Sequence, residues 1–144
     1  MRALIIAAVA VCILAGQVAA AMDEPVPIHI AILIGEAVGE GVDGMQAVGN
    51  VIRNRSIRRN IPVERVCRQK WQFSCLNAGE DRLRAFVAKN EAHITDAYTA
   101  WQRSGVEDIT GSANHYFADW IDPPKWAASM TFTVQRGRHR FYRS

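Results

Sequence analysis

Metal-ligand spacing is missing from this chain. Its four histidines, His29, His93, His115 and His139, stand singly with no His-x-x-x-His pair, and three cysteines do not complete a regular set. No metal site is therefore expected. Charge of one sign is scarce as well: 17 Lys and Arg against 14 Asp and Glu give a net charge of +3. Such a balance helps adhesion to an anionic polymer without demanding it. The one basic cluster, Arg53-Asn54-Arg55-Ser56-Ile57-Arg58-Arg59, has no nucleic-acid recognition motif beside it. It reads as a solvated helix end, and nucleic acid is not expected as a partner. Repeats, low-complexity tracts and linkers are absent from residue 28 onward, which leaves one continuous domain. That domain is expected to be a monomer without a small-molecule cofactor.

The N-terminal stretch is a targeting segment. Arg2 supplies a positive start, Ala3 to Ala15 an apolar stretch, and Ala19-Ala20-Ala21 a small-residue cleavage site. A signal peptide over residues 1–21 and a mature domain over 22–144 follow, with a periplasmic or secreted destination. The run from Ala3 to Ala21 is also about long enough to span a bilayer, so a retained N-terminal membrane anchor is the alternative. Outside this segment only Cys67 and Cys75 remain. An even pair in an exported chain favours a disulfide, which would contribute roughly 2.5 kcal/mol by closing so short a loop.

Periodicity organises the rest. An apolar run from Ile28 ends in Gly35-Glu36-Ala37-Val38-Gly39-Glu40, and a helix follows from Gly44 to Arg55 with Met45, Val48, Val51, Ile52 and Arg55 on one face. Asp43 is the expected N-cap. A short helix over Pro62 to Val66 leads into the Cys67–Cys75 loop. One long amphipathic helix is expected from about Asp81 to Gln102, its inner stripe made of Leu83, Phe86, Val87, Ile94, Ala97, Tyr98 and Trp101. Met130 to Gln135, the turn at Arg136-Gly137, and Arg138 to Arg143 read as strand, turn and strand. The fold class is α+β, mainly α, with a small C-terminal β-hairpin element.

Chemistry concentrates at Glu36. A carboxylate at the end of a buried helix has its charged form disfavoured, so it can hold a proton near neutral pH as a general acid must. Glu40, four residues on, is the candidate secondary carboxylate. Trp120, Trp126, Phe141 and Tyr142 gather in the last third, and flat apolar faces with polar edges suit sugar rings.

Six ordered blocks carry a family resemblance: Gly35-Glu36-Ala37-x-Gly39-Glu40; Ala47-Val48-x-Asn50-Val51-Ile52-x-Asn54-Arg55; Gln72-Phe73-Ser74-Cys75; Gly111-x-Ala113-x-His115-Tyr116; Pro124-x-Trp126-Ala127; and Gly137-Arg138-His139-x-Phe141-Tyr142. Together they resemble the SleB-type cell-wall hydrolases, the group of the spore-cortex-lytic enzymes. The resemblance implies a lysozyme-like fold and cleavage of the β-1,4 bond between N-acetylmuramic acid and N-acetylglucosamine in peptidoglycan, with Glu36 as the catalytic acid. It also implies that Gln72 and Phe73 lie beside the cleft; Tyr116 and Trp126, each a flat apolar face with a hydrogen-bonding edge, are expected to line the glycan groove, and His139 completes the expected substrate-binding set. Phe117 stands where many members carry a second His, so no polar role is expected there.

A second carboxylate is not obligatory when the sugar's own 6-hydroxyl attacks, which makes lytic transglycosylation the first expectation and hydrolysis by a muramidase the second. Other readings stay open: a phage signal-anchor-release endolysin, a non-catalytic wall-binding protein, and a peptidase using Cys67 or Cys75 with His139.

Overall fold

The computed structural model describes residues 25–144, so the expected signal peptide lies outside the described residues. Helix α1 (Ile28–Ala37) carries one polar side chain before its last turn, the half-buried His29, while Ile28, Ile30, Ala31, Ile32, Leu33 and Ile34 are all buried. A helix this apolar must be surrounded. Here α2 (Gly41–Arg59), α3 (Val63–Cys67), α4 (Glu80–Lys89) and α5 (Ile94–Ser104) enclose it. Burying each large aliphatic side chain contributes about 1.5–3 kcal/mol, which makes α1 the main source of core stability. Gly35 permits the closest approach, because a Cβ there would stand 2.7 Å from Leu83 Cδ1 and 2.8 Å from Cys75 Cβ. None of the described helices is long and apolar enough to cross a membrane.

The remaining layer is an antiparallel sheet of β1 (His115–Ala118), β2 (Thr131–Arg136) and β3 (His139–Arg143), ordered β1-β3-β2. The β2–β3 hairpin follows the expected strand, turn and strand. Gly137 occupies the first place of its two-residue turn with φ +53°, where a type II′ turn requires a positive value. Thr133 is the extra residue of a bulge between Phe132 and Val134. Strand β1 was not expected from the sequence. Its four residues carry too little periodicity to read, and pairing with β3 (Tyr116 opposite Phe141) makes them a strand.

Helix α2 shows the expected face, with Met45, Val48, Val51, Ile52 and Arg55 buried. Its start differs: the helix begins at Gly41, with Glu40 rather than Asp43 preceding it. The expected long helix over 81–102 is two. Asn90 ends α4 by donating from its side chain to the Phe86 carbonyl at 2.8 Å, and a 3-10 turn (Glu91–His93) redirects the chain into α5. The break turns Phe86 and Tyr98 outward, each 41% exposed, while Leu83, Val87 and Ala97 face the core.

The basic cluster is solvated only at its end, where Ile57, Arg58 and Arg59 are exposed; its first half packs on the fold. Arg53 lies 3.8 Å from the Trp101 ring centroid and donates to Ser104 Oγ, and Arg58 donates to the Ser144 carbonyl at 2.7 Å. Arg55 is buried and donates to the Asn114 carbonyl at 2.7 Å and the Gln72 carbonyl at 3.4 Å. Burial lowers its pKa, offset in part by Tyr116 and Glu36, while a guanidinium stays charged throughout the working range.

A second polar seam runs along the same helix. Asn50, 1% exposed, donates to the carbonyls of Ser104 (3.1 Å) and Glu107 (2.9 Å) and accepts from the Ile109 N–H (3.2 Å). Asn54 donates to Asp108 and to the Ala113 carbonyl. The two asparagines thus hold the irregular segment between α5 and β1, whose backbone groups have no helix or sheet to satisfy them.

The expected Cys67–Cys75 disulfide is not formed; both thiols are free. Cys67 points from α3 into the core, and Cys75 packs on Gly35 from a 3-10 turn (Ser74–Leu76). Burial pushes the Cys67 thiol up to about 12, and burial with the Glu36 charge pushes Cys75 up as well.

Two predictions follow from these contacts. Asn50→Ala leaves the Ser104 carbonyl and the Ile109 N–H without their side-chain partner and the Glu107 carbonyl with Gln46 alone, and is expected to destabilise the domain by about 2–4 kcal/mol, measured by urea unfolding. Burial lowers the pKa of His29, helped by Arg53, and of His115, helped by Arg55, Arg59 and Arg58. Each folded histidine binds its proton less readily than the unfolded value of 6.5. Their contribution is therefore full above that value and lost as pH falls below it. The melting temperature should drop between pH 7 and pH 5.5, and the His29→Gln/His115→Gln double variant should flatten that slope.

Candidate active site

Glu36 is half-buried in the last turn of α1 and lines a groove of about 520 Å³. Three donors from two other parts of the chain converge on its carboxylate. Oε1 accepts from Ser74 Oγ at 3.0 Å and from the Cys75 N–H at 2.8 Å, and Oε2 accepts from Tyr116 Oη at 2.8 Å. A carboxylate offers about four lone-pair sites, so one remains, on Oε2. Burial, then the Glu36 charge, raise the Tyr116 pKa well above its ordinary value, and the phenol keeps its proton and stays a donor.

Glu40 takes a different place. Its Oε1 accepts from the Arg138 N–H at 2.6 Å, and Oε2 lies 2.8 Å from His139 Nδ1, with only 15% and 8% of the two side chains exposed. Glycines make the slot: a Cβ on Gly44 would stand 2.9 Å from Glu40 Oε2, and one on Gly137 2.8 Å from Oε1. Glu40 does not line the Glu36 groove but a cavity on the other side of the hairpin turn, with Asp43 and Arg136. It ties the start of α2 to the β2–β3 turn.

His139 carries that tie onward. Its ring meets Tyr116 edge-on, 5.2 Å between centroids at 88°, so the Glu40–His139 pair braces the phenol that holds Glu36. With Nδ1 engaged by Glu40, Nε2 is the free ring nitrogen, and His139 is among the groove residues.

Of the other expected contact residues, Gln72, Tyr116 and Trp126 line the groove. Trp126 is half-buried and packs on His115, Phe117 and Tyr142 at 5.1, 5.7 and 5.5 Å, so it serves the fold as well. Phe73 is corrected: it is 2% exposed, part of the core, with the Arg55 guanidinium 5.2 Å from its ring centroid. It holds the loop from beneath while its neighbours Gln72 and Ser74 face the groove. Phe117 is also core, stacked on Tyr142 at 5.5 Å.

Sequence reasoning missed Ser74, although the Gln-Phe-Ser-Cys block contained it, and it missed Trp71; Trp120, from the C-terminal aromatic cluster, does line the groove. Trp71 is 82% exposed and has φ +62°, a left-handed backbone that costs a bulky residue about 1–3 kcal/mol. Trp120 is 62% exposed, with Arg138 over its ring at 4.9 Å. The cysteine-peptidase reading finds no support in this arrangement, because both thiols are pushed away from the thiolate and His139 is paired with Glu40.

Two solved structures share the fold, and the description of one of them prints an activity. The catalytic domain of the germination-specific lytic transglycosylase SleB from Bacillus anthracis matches at 25% identity and a TM-score of 0.61, covering 83% of this chain and 93% of that one. The catalytic domain of the Bacillus cereus SleB protein matches in fold at 24% identity and a TM-score of 0.62, covering 83% and 89%. No curated protein matches the chain. The family model described as Cell Wall Hydrolase matches residues 39–142, a span that takes in Glu40, Tyr116 and His139 and begins three residues after Glu36. With most of its length under that model and its fold shared with two SleB catalytic domains, the chain belongs to the cell wall hydrolase family.

Proposed function

We propose that this enzyme cleaves the β-1,4 bond between N-acetylmuramic acid and N-acetylglucosamine in peptidoglycan as a lytic transglycosylase, with Glu36 as general acid and then general base. One observation carries the reading: among the described residues, Glu36 is the only carboxylate lining the groove. Glycosidases that use water ordinarily need two, one for the leaving oxygen and one as base or nucleophile. Glu40 is occupied by Arg138 and His139, and Asp119 by Arg138 and Gln135.

A single carboxyl group suffices when the substrate supplies its own nucleophile. Glu36 hands a proton from Oε2, the oxygen with the free site, to the glycosidic oxygen as the bond to C1 of the muramic acid breaks. The 6-hydroxyl of the same sugar then attacks C1 while Glu36 takes its proton. The product is a 1,6-anhydro end, no water is consumed, and Glu36 ends as it began. Tyr116, Ser74 and the Cys75 N–H hold the carboxylate in one orientation through both steps, which is the positioning that proton transfer requires. Export, by the signal peptide over residues 1–21, belongs to the same proposal, since the substrate lies outside the cytoplasmic membrane.

Glu36→Gln should keep the fold and lower the cleavage rate by about 10²–10⁴, followed by mass spectrometry of muropeptides released from purified sacculi. Glu40→Gln should cost activity far less; equal losses from the two would argue for a two-carboxylate mechanism. Tyr116→Phe removes one hydrogen bond to a charged group, about 1.5–3 kcal/mol, and should slow cleavage by about ten- to a hundredfold without unfolding the domain. Products with reducing ends in place of anhydro ends would make the enzyme a muramidase.

A further inference from the structure

A second cavity, of about 370 Å³, adjoins the groove through one shared residue, Trp71. The indole is mostly exposed and its backbone is held in the left-handed region. Burial does not explain a tryptophan there, and strain that packing does not require points to a use. The cavity is lined in addition by Arg68, Gln69, Lys70, Leu76, Asn77 and Glu80, and Gln69 accepts from Arg59 through Oε1, which leaves its NH2 group to donate. Arg68 is engaged by Glu64 and Glu80, whereas Lys70 is exposed and makes no salt bridge among the described residues.

This lining is unlike the groove. The sugar rings of a glycan strand are uncharged and meet aromatic faces, but a cation, two carboxamides and an ion pair around Leu76 suit a ligand with carboxylates, amides and small apolar side chains of its own. In peptidoglycan such a ligand is attached at the scissile site, since the lactyl group of muramic acid carries a short peptide. We propose that the second cavity is a subsite for the peptide stem. Lys70 meets a stem carboxylate, Gln69 and Asn77 pair with its amides, and Trp71 divides the sugar-binding groove from the stem. This inference rests on the peptidoglycan reading and names the part of the substrate that selects it.

The test compares soluble, uncross-linked glycan strands bearing stems with the same strands stripped by an amidase, which removes the stem amides and carboxylates and leaves one lactyl carboxylate on each muramic acid. The native enzyme should cleave stem-bearing strands about tenfold faster. Lys70→Ala and Asn77→Ala, both at exposed positions and checked for an unchanged melting temperature, should reduce that ratio to about threefold or less. The folded Glu36→Gln protein should bind the free stem peptide, and Lys70→Ala in that background should weaken binding by a similar factor. A native ratio near one, or ratios unchanged in both variants, would overturn the stem subsite while leaving glycan cleavage intact. Failure to cleave either strand would overturn both readings.

Discussion

The architecture depends on one constraint: α1 is apolar through all its length but His29 and ends in a carboxylate that must not be left in that surrounding without partners. Burial of Ile30, Ile32, Leu33 and Ile34 requires a shell of helices, and the shell brings the Ser74–Leu76 turn against Gly35. That turn supplies two donors to Glu36 and β1 supplies the third. The core and the site therefore share one element. A change that loosens α1 moves the carboxylate, and a change that removes the donors leaves a charge half-buried at the end of the central helix.

The polar residues of α2 divide along its faces. Asn50 and Asn54 satisfy the segment between α5 and β1, and Arg55 bridges Asn114 and Gln72, which lead into the two elements holding Glu36. None of the three lines the groove. Their place in a family motif reflects the cost of irregular backbone in a small domain, because every buried carbonyl and N–H outside helix and sheet needs a partner. The Glu40–His139 pair does comparable work across the sheet, joining the α2 start to the hairpin and bracing Tyr116.

The groove is wide in contact types but narrow in chemistry. Aromatic faces from Trp71, Trp120 and Trp126 surround a single carboxyl group. Stacking faces suit a sugar without regard to its charge, and a single acid suits the proposed route in which the substrate brings its own nucleophile. The thiols take no part: Cys67 and Cys75 fill space around α1 as small apolar groups.

Much of this could be read before any coordinates. The buried run ending in Glu36, the inward face of α2, the C-terminal hairpin and the groove positions of Gln72, Tyr116 and Trp126 were legible, the first three because helix and strand periods impose themselves locally and the groove positions through the family motif. Tertiary packing decided the rest. Strand β1 exists because β3 is beside it, and α4 and α5 separate because the Asn90 side chain competes for the helix's own carbonyls. The cysteines stay apart, Phe73 turns inward, and Glu40 is diverted to His139 by directions of side chains that spacing along a chain does not encode. Residue type and period determine which surfaces must be buried; which carboxylate is left facing the groove depends on what packs against each, and only the folded chain settles that.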